Sequence, residues 1–510
     1  MTDPFYITTP IYYVNDEPHL GHAYTTILAD VLARYARLQG QETFFLTGTD
    51  EHGQKVQDAS LSRGVTPLVH ADEMVVRFQH AWKRLNIAYD DFIRTTEPRH
   101  TRVVAAILQD LWDKGEIYKG EYEGWYCIPD ERYWMEKDLV DGNCPECGRD
   151  VKQIVEPNYF FKMSTYQEWL VGYISENPSF IQPEYRRNEV LGFLRQPLGD
   201  LCISRPVSRL NWGIPLPFDP EYVTYVWFDA LINYVTASGY LSDEKRFARL
   251  WPRALHLIGK DILTTHCVYW PTMLKAAGLP QPKTIFAHGW WIMRGTKMSK
   301  SLGNVIKPLD LADVYGVDAF RYFLMRDMSL GRDADFDEER LNHRYQGDLV
   351  NDLGNLLHRL VNMIERYCDG CVPPPSDPTS AETDLRAHCE TLPSQVFELV
   401  ESLGLNNTLE IVMEAVREIN RYLEHAAPWS LAKAGQTERT ATVLYHAAEA
   451  LRLISLLLYP VMPERMAEVW HRLGWQPPNS LQEELAWGRL QPGSAVTAGP
   501  PLFPRELPRL

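Results

Sequence analysis

The stretch that most constrains the fold lies at the start of the chain, where a strand, a helix and a second strand follow one another with little spare sequence. Tyr6-Ile7-Thr8-Thr9-Pro10-Ile11-Tyr12-Tyr13 is dense in β-branched and aromatic residues and reads as a buried strand. Val14-Asn15-Asp16-Glu17-Pro18 is a loop by composition. From Leu20 onward Ile27, Leu28, Val31, Leu32, Tyr35 and Leu38 recur at helical spacing, until Gly40 stops the run. Glu42-Thr43-Phe44-Phe45-Leu46 then reads as the next strand. Such a βαβ unit commits the chain to a parallel sheet with crossover helices. At its first turn lies His19-Leu20-Gly21-His22. Free backbone N–H groups and the helix dipole favour an anion there, and imidazole donors suit a triphosphate. Taken alone, the two histidines are as readily turn and capping residues.

The pattern continues with Thr47–Gly53 closing the second strand and helical text over Asp72–Leu85 and Pro98–Lys114. Val223–Phe228 reads as a further buried strand. Leu255-His256-Leu257-Ile258 is another, followed by Gly259-Lys260-Asp261 and a helix through Lys275, and Thr284–His288 is the last. Between the two sets, near Gly115, the text becomes turn-rich and aromatic. Cys144-x-x-Cys147 there has the spacing of a zinc knuckle, and Cys127-x-x-Asp130 supplies two further ligands. Cys368 and Cys371 form a second pair without other nearby ligands, read as structural. After Asn342 the chain turns helical. Leu349, Leu353, Leu356, Leu360 and Ile364 mark an apolar face, and Asn351, Asn355 and Arg359 a polar one. Amphipathic runs over Asp384–Ser402, Leu405–Glu424, Thr440–Leu458 and Pro463–Leu473 predict an α-helical bundle.

At 510 residues the chain exceeds one ordinary core, so about two to four domains are expected. The sequence predicts an α/β fold, a Rossmann-like doubly wound parallel sheet with a small zinc-knuckle insertion and a C-terminal α-helical bundle. Its segments are a first half-domain (1–115), the insertion (116–213), a second half-domain (214–290), a loop-bearing region (291–345), the bundle (346–488) and a tail (489–510). Acidic residues number 67 against 51 basic ones, a net charge of −16, which counts against sequence-blind binding of nucleic acid. Eight cysteines in this length do not read as a disulfide scaffold and fit a reducing cytoplasm. No signal peptide is read at the N-terminus. The apolar run Leu451–Met462 contains Arg452 and Pro460 and is too short to span a bilayer, so it reads as a core helix. No Walker A string, Gly-x-Ser-x-Gly elbow or His-Glu-x-x-His helix occurs.

Far downstream stands Lys297-Met298-Ser299-Lys300-Ser301. Together with His19–His22 it resembles the HIGH and KMSKS signatures of class I aminoacyl-tRNA synthetases. The order, separation and intervening text are most similar to the methionyl-tRNA synthetases, and the likeness runs from Phe5 to about Arg505. The resemblance implies nucleotidyl transfer, in which a methionine carboxylate attacks the α-phosphate of ATP and pyrophosphate leaves. It assigns catalysis to His19, His22, Lys297 and Lys300, and ATP binding to Gly21, Gly259, Asp261, Ser299 and Ser301, with Asp261 on the ribose hydroxyls. Asp50 falls where the family anchors the substrate amino group. Ile11, Tyr13, Trp227, Ala230, Tyr234, Ile262 and His266 fall at the methionine pocket, with Tyr13 and His266 offering hydrogen bonds near the sulfur. Leu231 stands where some branches have proline. Asn351, Asn355, Arg359 and Trp429 match the family's anticodon readers. The insertion of this family carries zinc knuckles with Cys or His at the fourth place, from which Asp130 departs.

The implied cofactors are Mg2+ with ATP and one structural Zn2+. The implied partners are L-methionine and the initiator and elongator forms of tRNA(Met), with no membrane. A cytoplasmic monomer is expected, since nothing in the sequence signals a dimer. Synthetases for valine, isoleucine or leucine would carry a larger editing insertion, and a cysteine-specific one a zinc inside the catalytic fold. A small nucleotidylyltransferase leaves the bundle unexplained. A non-catalytic tRNA-binding protein leaves the intact histidines and lysines unexplained.

Overall fold

The computed structural model describes residues 3–129, 132–134, 136–145, 147–293, 295–297, 306–478 and 480–507. Its centre is a seven-stranded parallel sheet built on the strand Phe5–Thr8. Thr43–Asp50 pairs with it on one side and Ala254–Gly259 on the other. Asp91–Arg94 extends the sheet beyond Thr43–Asp50; Thr284–His288 and then Ile181–Gln182 extend it beyond Ala254–Gly259. The chain thus winds outward one way from its first strand and later resumes in the opposite direction. The crevice between Phe5–Thr8 and Ala254–Gly259, at the carboxyl ends of the strands, is the topological switch point where open α/β sheets bind ligands.

Alternation along the strands divides the core. Ile7, Phe45, Leu257 and Phe286 face one apolar cluster, while Tyr6, Leu46, Ile258 and Ile285 face the other. The first cluster continues without a break into the C-terminal helices through Phe320, Leu353 and Leu457. A buried ion pair joins the same parts. Arg321, inside the helix Val317–Asp327, donates to Asp30 Oδ2 at 2.6 Å and to the Leu85, Pro460 and Val461 carbonyls at 2.9–3.1 Å. Asp30 lies on the helix Leu20–Leu38 and is held charged. Burial alone would raise its pKa, but Arg321 and Arg34 outweigh that.

The helices Ser380–Glu401, Leu405–Ala426, Thr437–Leu458 and Pro463–Arg472 form the bundle. Thr437–Leu458 is the one described helix long and apolar enough to cross a membrane, and its apolar window is wholly buried inside the protein. Two strand readings need correction. The segment from Tyr6 to Tyr13 is two strands, Phe5–Thr8 and Tyr12–Tyr13, interrupted around Pro10, which cannot donate to a ladder. Val223–Phe228 is a strand only to Thr224; Val226–Leu231 is helical. Its β-branched and aromatic residues pack equally well on a short buried helix, so composition misled there. The insertion contains a four-stranded antiparallel sheet built on Ile117–Cys127 and Lys152–Phe161. Ile181–Gln182, inside the expected 116–213 segment, joins the catalytic sheet, so that segment is not cleanly separate.

Candidate active site

The helix Leu20–Leu38 opens at His19, whose extended backbone makes it the N-cap. Gly21 N–H donates to His19 Nδ1 at 3.1 Å, and His19 N–H donates to His22 Nδ1 at 3.4 Å. The two histidines thus form a reciprocal capping box. A ring nitrogen that accepts from an amide cannot itself carry the proton, so each imidazole has its N–H at Nε2. The rings stack with centroids 3.7 Å apart. A Cβ on residue 21 would sit 3.0 Å from the His19 ring, a tight contact that would require the ring to shift slightly. Burial, and then the neighbouring His19, hold the His22 pKa well below the usual histidine range. The Tyr12 ring, 4.6 Å away, forms part of that enclosure. The result is a pair of imidazoles, each with its N–H at Nε2, at the positive end of a helix dipole. Such a pair is chemically suited to stabilise phosphate oxygens without a protein nucleophile.

The other lip of the crevice carries His288 and Asp261. His288 Nδ1 donates to the Gly289 carbonyl at 2.7 Å, which leaves Nε2 to accept from Thr25 Oγ1 at 2.8 Å. That bond ties the histidine helix to the strand Thr284–His288. Asp261 is exposed beside Gly259, and the Trp290 indole N–H donates to its Oδ1 at 3.1 Å. A Cβ on residue 259 would lie 2.5 Å from that same oxygen, so only glycine allows the carboxylate its place. Trp290 is gripped in turn: its backbone N–H donates to Asp333 Oδ1 at 2.9 Å, and Lys260 Nζ stands 4.1 Å above its ring and 2.6 Å from Asp333. Sequence reasoning missed Tyr12, Thr25, His288, Trp290 and Asp333, for which no motif spacing gives a signal. The strand Trp291–Met293 pairs with Thr296–Lys297 and Ala334–Asp335, so Lys297 enters the KMSKS segment from an anchored hairpin. Ser299, Lys300 and Ser301 lie outside the described residues.

Asp50 ends the strand Thr43–Asp50, buried, and is the register partner of Tyr13. Lys55 Nζ stands 4.6 Å over the Tyr13 ring. Trp227 and Ala230 lie on the helix Val226–Leu231, Tyr234 on Asn233–Ser238, Ile262 in the turn Lys260–Ile262, and His266 in the π-turn Thr265–Tyr269. Trp227, Tyr234 and His266 come together, with the His266 ring 6.3 Å from Trp227 and 5.8 Å from Tyr234. Burial first, then charges that include Asp50, push the Tyr234 hydroxyl pKa up. Ile11 is half-buried in the break between the first two strands.

His266 is held from two sides. Its Nδ1 donates to the Ile262 carbonyl at 3.0 Å, and its Nε2 accepts from the Tyr234 hydroxyl at 2.8 Å. Both nitrogens thus have partners inside the protein, and His266 anchors the Tyr234 hydroxyl. Burial lowers its pKa to about 4, which keeps it neutral in this role.

In the insertion, the Cys127, Cys144 and Cys147 sulfurs lie within 4.8 Å of one another, Cys127 and Cys147 at 3.5 Å. Zinc–sulfur bonds of about 2.3 Å in a tetrahedron place ligand sulfurs about 3.8 Å apart, so the three thiols fit that ion. Asp130, the expected fourth ligand, lies outside the described residues. None of the eight cysteines is in a disulfide. In the helical region Asn351 is exposed in the π-helical Tyr345–Gly354, and Asn355 and Arg359 follow in Asn355–Tyr367. Trp429 is 40% exposed, and the Arg359 guanidinium stands 5.9 Å from its ring. Arg359 and Trp429 thus come together, while Asn351 and Asn355 stand on the preceding turns of the segment that carries Arg359.

The family model described as tRNA synthetases class I (M) matches residues 5–156 and 150–361. The methionine–tRNA ligase of Caldanaerobacter subterraneus subsp. tengcongensis is 48% identical over 507 residues, 99% of this chain and 79% of that protein. That of Streptomyces coelicolor is 44% identical, covering 98% of this chain and 96% of the relative. Among solved structures, Mycobacterium tuberculosis methionyl-tRNA synthetase in complex with methionyl-adenylate superposes with a TM-score of 0.95 at 40% identity, over 99% of this chain and 100% of that one. The apo form of the same enzyme gives 0.88 at 38% identity, over 100% and 99% of the two chains. With a switch-point site that carries paired histidines and a buried carboxylate, and with likeness over the full chain, the protein belongs to the methionyl-tRNA synthetases of class I.

Proposed function

We propose that the chain ligates L-methionine to tRNA(Met) in two steps at the switch point of its parallel sheet. ATP and methionine first form methionyl-adenylate with loss of pyrophosphate; the methionyl group then passes to the tRNA with loss of AMP. The observation that carries this reading is the His19–His22 capping box, which fixes Nε2–H on both imidazoles at a helix N-terminus. In the first step the methionine carboxylate attacks the α-phosphate in line. Charge that develops on the phosphate oxygens is met by the two imidazoles and by the helix dipole, while Lys297 and Lys300 hold the departing pyrophosphate. Gly21 leaves room for the phosphates, and Ser299 and Ser301 add hydrogen bonds to them. Asp261, seated by Gly259 and Trp290, takes the ribose hydroxyls. Asp50 holds the substrate ammonium group. Ile11, Tyr13, Trp227, Ala230, Tyr234 and Ile262 enclose the thioether, whose polarizable sulfur suits aromatic walls. ATP would enter as its Mg2+ complex. One zinc would be held by Cys127, Cys144, Cys147 and Asp130, where it supplies folding energy to the knuckle.

The bundle surface with Asn351, Asn355, Arg359 and Trp429 would read the CAU anticodon shared by initiator and elongator tRNA(Met), with the enzyme acting as a cytoplasmic monomer. The test is amino-acid-dependent ATP–pyrophosphate exchange with each of the twenty amino acids. Methionine alone is expected to give strong exchange; strong exchange with another amino acid, or none at all, overturns the reading.

A further inference from the structure

Asp229 is a buried carboxylate that the chemistry above leaves without a task. It lies on the short helix Val226–Leu231, between Trp227 and Ala230. Its Oδ2 is 2.7 Å from His52 Nδ1 and its Oδ1 is 2.7 Å from His100 Nε2. His52 follows Asp50 by two residues, just before the helix Gln54–Ser62. His100 stands in the first turn of Pro98–Asp113. Three elements distant in sequence therefore meet on one carboxylate. Burial would push its pKa up, but the two imidazoles outweigh that and hold it below the usual range.

The intervening residue is fixed as firmly from another side. The buried Glu51 carboxylate accepts from Thr49 Oγ1 and Arg94 Nε at 2.7 Å each, and from Arg94 Nη2 at 3.0 Å. Asp50 thus precedes two residues whose side chains are both pinned, one to the strand Asp91–Arg94 and one to the helix that bears Trp227.

We propose that Asp229 is a positioning residue for the amino-acid site: holding His52 with one oxygen and His100 with the other, it sets the separation between Asp50 and the wall formed by Trp227 and Ala230. That separation fixes the side-chain length accepted when the ammonium group rests on Asp50. The proposal rests on the assignment of Asp50, Trp227 and Ala230 to methionine. A shift of about 1 Å in such a contact can cost on the order of 10²-fold in rate, even when its origin is remote from the reacting atoms.

Methionine-dependent pyrophosphate exchange tests it in Asp229→Ala, Asp229→Asn, His52→Ala, Asp50→Ala and the Asp50→Ala/His52→Ala double variant. Asp229→Ala and His52→Ala are expected to raise the KM for methionine about tenfold or more, with the KM for ATP within about twofold of normal. Asp229→Asn should recover most of the loss, because its amide still offers an acceptor and a donor to imidazoles that can change tautomer. In the Asp50→Ala background His52→Ala should add less than about twofold, since the group it positions is gone. Parallel rises in both KM values, unchanged KM values, or full additivity in the double variant would overturn the proposal. Should Asp229→Ala not fold, His52→Ala, with a side chain 7% exposed at the margin of the cluster, decides the matter. Normal methionine KM in Asp50→Ala would instead sink the assignment of Asp50 and the proposal with it. An impaired Asp50→Ala beside an unaffected His52→Ala would sink the proposal alone.

Discussion

Burial, and then the neighbouring His19, hold the His22 pKa well below the usual histidine range, so in the role proposed for it the ring would meet phosphate as a hydrogen-bond donor and not as a cation. Its contribution should therefore fall on the transition state, where phosphate charge shifts, and little on methionine affinity. We expect His22→Ala to lower the rate of pyrophosphate exchange by about 10²–10³ with the methionine KM nearly unchanged. A rate within severalfold of the parent would remove the histidine from the chemistry. The motif itself was legible in the sequence, but the tautomers were not, since they depend on which amide each ring accepts from. His266 shows the same limit: its position in the sequence says nothing of the Ile262 carbonyl and Tyr234 hydroxyl that it bonds.

Buried neutral histidines also set the acid response. His256, His266 and His288 all have pKa values lowered by burial, to about 4 for His266. In the unfolded chain each takes up a proton near pH 6.5, while the folded form refuses it until lower pH. The unfolded state therefore binds more protons, and stability is lost as the pH falls from about 6.5 toward 4, by at most about 1.4 kcal/mol per unit for each residue. The melting temperature should drop between pH 7 and pH 5, and His266→Gln should show a shallower drop than the parent. Equal slopes for the two proteins would contradict the assignment of a neutral, buried His266.

At the scale of elements, the parallel sheet and the bundle were legible because short apolar β-branched and aromatic runs and period-3.6 patterns are written along the chain. The helix Val226–Leu231 was not, because six residues of which five are buried are too few to show a period. Neither was the His52–Asp229–His100 cluster, whose members are 48 and 129 residues apart along the chain and meet only through the fold. The knuckle is the opposite case: a local Cys-x-x-Cys turn plus Cys127 at the end of the strand Ile117–Cys127 brought three sulfurs together as the spacing implied. We expect one zinc per chain by elemental analysis of dialysed protein, lost in the Cys144→Ser/Cys147→Ser variant. Because the knuckle belongs to the antiparallel sheet of the insertion, its loss should impair transfer to tRNA more than methionine activation. Metal content that survives both substitutions would place the zinc elsewhere.

At the scale of the molecule, the sheet and the bundle share an apolar core and the buried Asp30–Arg321 pair, so a change at the bundle surface need not loosen the catalytic half. Trp429 tests that separation. From sequence alone, an aromatic at the joint Ala426-Ala427-Pro428-Trp429 is as readily core as contact. In the structure Pro428 opens the short helix Pro428–Lys433 after Ala427 has turned into the left-handed region at φ 42°, and that turn leaves the indole 40% exposed. Arg359, in contact with Glu424 at 3.2 Å, holds its guanidinium 5.9 Å from the ring centroid. A partly exposed indole beside a guanidinium suits an unstacked base: a face to stack on and a donor for its edge. One stacked base is worth about 1–3 kcal/mol, so Trp429→Ala should lower charging of a CAU-anticodon tRNA at least roughly tenfold. Methionine-dependent pyrophosphate exchange should stay near the parent value and the melting temperature should change little, because the indole lies at the bundle surface and outside the catalytic sheet. Parallel losses in both assays together with a lower melting temperature would show the indole to be structural and would take the anticodon site away from this face of the bundle.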